Sequence, residues 1–318
     1  MHRTGVVVVT YNSSSWIERC LKSCGDLPVI VVDNASRDNT CELVRRSGTA
    51  RLIANPSNYG FGHAVNQGVA ALDTELILLL NPDAEIKTPL EEMETACLAE
   101  GTGLAAGKLI DEHGDAQRGF TLRRFPKPVT LVLEVLGMNR LLAINPLNRS
   151  YRCLDVDLSE SFEAEQPAGA FLMFRRKVWQ RLGGFDTQFY PLWFEDVDFC
   201  KRARDLGLKI QYVPQVTALH QGGHSIAGVN WQCREIYWYA SLLKYASKHF
   251  SSHAFRWVSA AVVLGSVFRS AAGVVTRRSL EPIRVYTEVS RLAGGGVISG
   301  HAGELKIHGG RATPAIKS

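Results

Sequence analysis

The sequence predicts an α/β fold built on a mostly parallel central sheet, and three observations carry the prediction. Gly5–Val9, Val29–Val32 and Leu76–Leu80 are continuous apolar runs, and strands apolar on both faces belong in a parallel sheet covered on both sides. Apolar residues at helical spacing follow, as with Trp16, Cys20, Leu21 and Cys24 after the first run. Polar residues stand where the first, second and fourth strands end, at Asn12, Asp33 and Asp83. Open α/β sheets bind ligands beyond the carboxyl ends of their strands, so three polar ends on one edge predict a single site.

The elements follow in order. Ser13–Ser15 offers N-cap hydroxyls to the first helix. The second strand closes at Asp33-Asn34-Ala35-Ser36, and a helix is expected from about Asp38. Leu52–Ala54 is a short third strand, followed by a Gly-rich turn and a helix through Ala64–Leu72. Asn81-Pro82-Asp83 ends the fourth strand, and a helix around Leu90–Leu98 leads to a fifth near Leu104–Ile110. The rhythm then breaks: Arg118–Pro128 is basic and Val129–Leu142 apolar. Ala168–Phe174 reads as a returning strand, Lys177–Leu182 and Val197–Leu206 as helices, Lys209–Val213 as a strand and Trp231–Phe250 as an aromatic helix. Trp257–Phe268 is apolar between Arg256 and Arg269, shorter than the ~20 residues a membrane span needs. Gly294–Gly296 and Gly309–Gly310 mark an expected loose end.

Composition narrows the function. With 318 residues, 46% hydrophobic and 21% charged, the chain is neither disordered, nor a disulfide mini-protein, nor a polytopic membrane protein. The net charge of +5 is uneven, because residues 251–318 hold nine Lys/Arg against three acids and leave the body near neutral. A basic tail without a recognition motif does not make a nucleic-acid binder. Seven cysteines without CxxC pairs, and a strand pattern that starts at once, lead us to expect a reducing cytoplasm and no targeting segment. Cys20 and Cys24 lie one helical turn apart, with too few further ligands nearby for zinc.

Five constellations bear chemistry. Asp33 at a strand end can accept from a nucleobase imide or a ribose hydroxyl; the alternative is a helix cap, which Ser36 or Asp38 already supplies. The run Asn55–Gly68, with Asn58, Gly60, Gly62 and Asn66, offers backbone donors at a helix start to an anion or sugar. It contains neither GxGxxG nor GxxxxGK[ST], which argues against a dinucleotide fold or a P-loop. Asp83 after Asn81-Pro82 is a hard oxygen ligand suited to Mg²⁺ or Mn²⁺, or else a turn residue. Glu195, Asp196 and Asp198 open a helix beside Trp193 and Phe194. An acid desolvated there has a raised pKa and makes a better base, while others can serve only to cap. His220 can complete a divalent-metal shell and the Gly222-Gly223 amides can hold phosphate, although a loop histidine can also be structural.

Together these segments resemble the family 2 glycosyltransferases, especially their bacterial rhamnosyltransferase-like branch. The matching text is Val8–Asn12, Val32–Ser36, Asn58-x-Gly60-Phe61-Gly62, Asn81-Pro82-Asp83, Gly169–Leu172, Leu182–Asp186, Phe194–Asp198 and His220-x-Gly222-Gly223-x-Ser225, in family order over about residues 4–226. Asn81 departs from the family's DxD metal motif, whose first position is Asp.

The resemblance implies a GT-A fold over residues 1–228. A Rossmann-like nucleotide-sugar half would run to about 110 and an acceptor half over 111–228, followed by a helical extension over 229–292 and a flexible basic tail over 293–318. It implies inverting, metal-dependent transfer from a dTDP-, UDP- or GDP-linked sugar, rhamnose first, to a saccharide or polyprenyl-diphosphate-linked acceptor. Asp33 would hold the nucleoside, with Thr10, Tyr11, Asn12, Asn34, Asn58, Gly60, Phe61, Asn66 and Asn81 around the donor. Asp83 and His220 would hold the divalent cation, and Gly222, Gly223 and His224 the phosphates. Asp196 would be the base, Glu195 and Asp198 its supporting acids, and Trp193 and Phe194 a platform for the acceptor ring. Because the family often uses lipid-linked acceptors, residues 254–280 are expected to lie on the inner face of the bacterial plasma membrane; the alternative is a core helix. Two rivals differ in class. A nucleotidyltransferase would want a glycine- and base-rich loop after the first strand, which Thr10–Ser15 does not supply. A non-catalytic nucleotide-sugar binder would need no base among the acids at 195–198.

Overall fold

The computed structural model describes residues 2–142, 145–222 and 229–300, and only the backbone of residues 140 and 141. A nine-stranded sheet runs through it in the order β3-β2-β1-β4-β10-β6-β11-β5, with β8 paired to β11. Strands β1 (Thr4–Thr10), β2 (Val29–Asp33), β3 (Ala50–Ala54) and β4 (Leu76–Leu80) are mutually parallel. β5 (Ala84–Ile86) is a short edge strand; β6 (Thr102–Ile110) and β11 (Lys209–His220) pair in parallel. β10 (Phe171–Arg175) runs antiparallel between β4 and β6. β8 is Phe162–Ala164, and β7 (Leu122–Arg123) with β9 (Gln166–Pro167) forms a separate ribbon.

Both faces of the sheet are buried. Val6, Val8, Val31, Leu78 and Leu80 pack with α1 (Ile17–Ser23), α2 (Thr40–Ser47) and α4 (Glu91–Leu98). The alternate residues Val7, Val9, Val32, Ile77 and Leu79 pack against α3 (Phe61–Ala71), α8 (Arg176–Leu182) and α9 (Glu195–Asp205). One strand therefore feeds two cores through its two-residue period. Gly68 lets α3 press on β1: a Cβ there would sit 2.5 Å from Val7 Cγ1. The hydroxyls of Ser13–Ser15 do not cap α1, which starts after Trp16 with no side-chain cap. The Ser13 and Ser14 backbone amides instead donate to Thr40 Oγ1 and Asp38 Oδ2 across the loop.

The extension is a helical core of its own. α5 (Pro128–Val135), α10 (Trp231–His249), α11 (Ser252–Arg277) and α12 (Glu281–Ser299) enclose Tyr239, Leu242, Phe255, Val258, Val262, Tyr286 and Val289. α6 (Met138–Leu141) and α7 (Pro146–Tyr151) are short connecting helices. Phe189, Phe194 and Val197 of the sheet domain join this cluster, so the two parts share a boundary. Two expectations are corrected here. The apolar stretch Trp257–Phe268 is the middle of a 26-residue helix. Arg256 and Arg269 do not end it, because arginine propagates a helix well and Arg269 donates to the Glu134 and Val135 carbonyls at the end of α5. Gly294–Gly296 is not loose: it lies in α12, where a Cβ on Gly296 would meet Ser259 Oγ at 2.5 Å. Residues 301–318 of the expected tail lie outside the described residues.

Candidate active site

The strand ends do converge. Thr10 and Asp33 are register partners on β1 and β2, and β4 is the other neighbour of β1. Asp33 is buried and fully bonded: Oδ2 accepts from Thr10 Oγ1 at 2.8 Å and Ser36 Oγ at 2.5 Å, and Oδ1 accepts from the Ser36 amide at 2.9 Å. It does not cap α2, whose first amide donates to Asp38 Oδ1. Around it the polar turns are stitched together. Asn12 Oδ1 accepts from the Arg37 amide, the Asn34 amide group donates to Gly60 O, and Asn55 bonds both Asn34 and Gln67. Asn12 and Ala35 hold positive φ angles of 53° and 64°, a strain that turns held by function often carry. Much of the expected donor set thus builds the cradle, while Tyr11, Asn58 and Phe61 keep part of their surface open.

Asn66 is a correction. Its Oδ1 accepts from Trp179 Nε1 and the Phe185 amide, and its Nδ2 donates to Phe185 O. Three of its four side-chain bonding positions brace α3 against the 183–185 turn, so its role here is to hold that turn.

At the end of β4, Asp83 is buried, and its Oδ1 has no hydrogen-bond donor among the described residues. His220 Nε2, from the end of β11, faces it at 3.5 Å. Gln117 fixes that imidazole. Its Nε2 donates to His220 O at 2.5 Å, so its Oε1 is the atom 2.9 Å from His220 Nδ1. A carbonyl only accepts, which makes Nδ1 a protonated nitrogen and leaves Nε2 as the one turned toward Asp83. Phe120 stacks on the ring at 5.0 Å and holds its plane. No group of three or more His, Cys, Asp or Glu side chains able to hold a metal occurs among the described residues. Two protein donors suit Mg²⁺ or Mn²⁺, which commonly draw further ligands from water and substrate phosphates. The Gln221 amide donates to Asp83 O. Gly222 follows with φ 75°, while Gly223 and His224 lie outside the described residues.

The third wall is the start of α9. Trp193 and Phe194 both have positive φ, 75° and 68°, costing about 1–3 kcal/mol each for bulky residues. That turn delivers Glu195 and Asp196 to the helix N-terminus. Asp196 is half-buried; Oδ2 accepts from the Gly169 amide at 2.9 Å and Oδ1 from the Val197 amide at 2.8 Å. Desolvation raises its pKa, against the pull of those amides and of Arg123. Burial, reinforced by the Asp196 charge, pushes Glu195 well above the usual carboxylate range, and its Oε2 has no hydrogen-bond partner among the described residues. The Asn81 amide donates to Ala170 O, next to Gly169. The metal-type turn and the acid helix are therefore joined through one short backbone segment.

Two further expectations are corrected. Asp198 is buried away from the cleft and tied to Arg202 (2.7 Å), Lys248 (2.7 Å) and His249 (2.8 Å). Burial opposes its charge, but the His249 hydrogen bond and the Arg202 and Lys248 charges prevail and lower its pKa. It pins α9 to α10 instead of supporting a base. Phe194 is packed inside the helical core against Tyr245, so it offers no platform to a sugar, whereas Trp193 is only half-buried. Sequence reasoning also missed four residues. Gln117 and Phe120 set the imidazole. Tyr190 donates to Asn58 O at 3.3 Å, and its neighbour Pro191 accepts from the Phe61 amide at 2.8 Å. Tyr237 brings α10 to the same place: burial, then Cys233, Tyr190 and Tyr11, push its phenol up to about 12. None of the four carries a motif, so no sequence signal marks them.

A parallel sheet whose carboxyl edge gathers Asp33, Asp83, His220 and Asp196, with an antiparallel strand at its centre, defines a glycosyltransferase of the GT-A fold. Residues 5–181, more than half of the chain, match the model of glycosyl transferase family 2, and residues 143–238 match a glycosyltransferase-like family 2 model. The chain belongs to glycosyl transferase family 2. Among curated proteins it is 28% identical over 243 residues to the N-acetylglucosaminyl-diphospho-decaprenol L-rhamnosyltransferase of Mycobacterium tuberculosis H37Rv, covering 69% of this chain and 76% of the relative. It is 25% identical over 269 residues to rhamnosyltransferase WbbL of Escherichia coli K12, covering 79% and 88%. Among solved structures it is similar to Staphylococcus aureus TarS with UDP-GlcNAc (TM-score 0.55, 16% identity, 93% and 82% covered). A Pyrobaculum calidifontis mannosyltransferase with GDP-Man and Mn²⁺ gives TM-score 0.51 at 17% identity, with 94% and 85% covered.

Proposed function

We propose that this glycosyltransferase transfers a sugar, rhamnose first among candidates, from a nucleoside-diphosphate donor to a hydroxyl of a saccharide or polyprenyl-diphosphate-linked saccharide, with inversion. The observation that carries the reading is the pairing of a buried Asp83, whose Oδ1 faces His220 and meets no donor among the described residues, with a desolvated Asp196 linked to the same turn through the 169–170 backbone. Rhamnose and the lipid-linked acceptor draw support from the names of the relatives at 25–28% identity.

Asp83 and His220 fit a divalent cation, since the buried Asp83 Oδ1 meets no hydrogen-bond donor among the described residues and the imidazole is oriented with Nε2 toward it. Such an ion, when bound, supplies Lewis-acid neutralisation of the diphosphate leaving group. The cradle of Thr10, Asp33 and Asn34 is rigid enough to orient the nucleoside before reaction. Asp196 takes the acceptor hydroxyl's proton as the new C1–O bond forms and the bond to the diphosphate breaks. Attack from the face opposite the leaving group inverts the anomeric centre. Its raised pKa makes it a stronger base than an exposed aspartate. Burial, then the Asp196 charge, pushes the Glu195 carboxyl up and so disfavours a second charge beside it. Incubating the protein with labelled nucleotide sugars, Mn²⁺ and an undecaprenyl- or decaprenyl-diphosphate saccharide tests the reading. A glycosylated lipid bearing the inverted linkage is expected, and donor binding without any product under all donors would overturn it.

A further inference from the structure

The hairpin of α11 and α12 carries an apolar face that no described residue covers. On α11, Trp257 and Val275 are 73% and 76% exposed, and Leu264 and Phe268 are exposed between them. Spacings of seven, four and seven residues set these four within about 20° of one line, a stripe about 27 Å long. Phe255, Val258 and Val262 point the other way, into the helical core. No Asp or Glu occurs anywhere on α11. α12 returns beside it, with Gly296 against Ser259 and Pro282 against Gly273, and adds the exposed Ile283 and Ile298. Arg256, Arg278, Arg284 and Arg291 are exposed around this surface, and residues 252–300 hold six arginines against two glutamates.

We propose that this face docks α11 flat on an anionic lipid bilayer, its apolar stripe among the acyl chains and its arginines on headgroup phosphates. By length and composition α11 is also long enough to cross a membrane. Its packing opposes that. Gly265 lies so close to α5 that a Cβ would stand 2.3 Å from Val135 O, and Arg269, in the same helix, donates to the Glu134 and Val135 carbonyls. Spanning would strip those contacts and carry Arg269 into hydrocarbon, whereas lying flat keeps them and buries only the stripe. A second copy of this chain is the poorer occupant, because it would bring the same positive charge to the face. Trp257, apolar with one polar N–H, suits the membrane interface.

The test sediments the full-length protein with phosphatidylcholine vesicles and with mixed phosphatidylglycerol–phosphatidylcholine vesicles. Sedimentation with the anionic vesicles only, reduced by added salt and released by a carbonate wash, is the expected result. Trp257→Asp/Phe268→Asp should lower the bound fraction about tenfold with an unchanged melting temperature. Arg284→Glu/Arg291→Glu should weaken binding in the same assay and stands as an independent reading if the first pair folds poorly. The proposal is overturned if wild-type protein stays in the supernatant, if both pairs sediment like wild type, or if binding resists carbonate. A concentration-dependent dimer abolished by the same substitutions, with no vesicle binding, would give the face to a second copy instead. None of these readings depends on sugar transfer, so they fail or succeed apart from the catalytic proposal.

Discussion

Asp196 and Glu195 are adjacent in sequence, yet their environments separate them. Asp196 accepts two amide hydrogen bonds and keeps part of its surface exposed, while Glu195 has a buried oxygen with no donor among the described residues. Asp196→Asn should therefore keep donor binding, read by thermal shift, and lose ~10²–10⁴ in turnover, as expected for loss of a general base. Because desolvation raises the Asp196 pKa, the acid limb of the turnover profile should lie above the ordinary aspartate range. Glu195 makes a prediction of opposite kind. Burial raises its folded pKa, so the folded state holds a proton that the unfolded state has already released as pH rises. Its contribution is most favourable below the unfolded pKa and is lost as pH rises toward the folded one. Glu195→Gln, which mimics the protonated form, should raise the melting temperature at neutral pH and change it little in acid. An equal effect at both would contradict the assignment.

Elements were legible in the sequence to the extent that their pattern was local. β1, β2 and β4 stand out as apolar runs ending in polar residues, and both signals follow from burial on two faces with ligands at one edge, whereas the half-exposed β3 leaves only a short pattern. The antiparallel direction of β10 was not legible, because Phe171–Phe174 is buried on both faces and reads the same either way. β5, three residues long, is too short to leave a pattern. Asp198 looked like a site acid because spacing alone does not reveal its partners on α10, some fifty residues later. That buried cluster makes α9 and α10 one mechanical unit. Asp198→Ala leaves Arg202 and Lys248 without their buried counter-charge and should cost about 3–5 kcal/mol, read as a lower denaturant midpoint. A loss below about 1 kcal/mol, the range of an exposed ion pair, would return Asp198 to the surface.

For the whole molecule, the helical extension is a structural partner of the sheet domain. Phe189, Phe194 and Val197 sit in its core, Ser241 donates to Leu192 O, and Tyr237 reaches the Tyr190 side of the cleft. Deleting residues 251–318 removes Phe255, Val258, Val262 and Val289 from that core. The truncated chain should melt several degrees lower and aggregate, since a loss of even a few kcal/mol is a large share of typical stability. An unchanged melting temperature would make the extension separable. Point substitutions on the exposed stripe are the cleaner way to separate membrane attachment from folding.

The central claim is that one cleft holds the activated sugar at Asp83 and His220 and deprotonates the acceptor at Asp196. Its most direct measurement is calorimetric donor titration with and without Mn²⁺, paired with single-turnover product formation, on wild type, Asp83→Ala and Asp196→Asn. The account predicts that Asp83→Ala loses the Mn²⁺-dependent part of donor binding, and that Asp196→Asn binds donor like wild type yet forms almost no product. Wild-type turnover in Asp196→Asn, or an intact Mn²⁺ effect in Asp83→Ala, would contradict it.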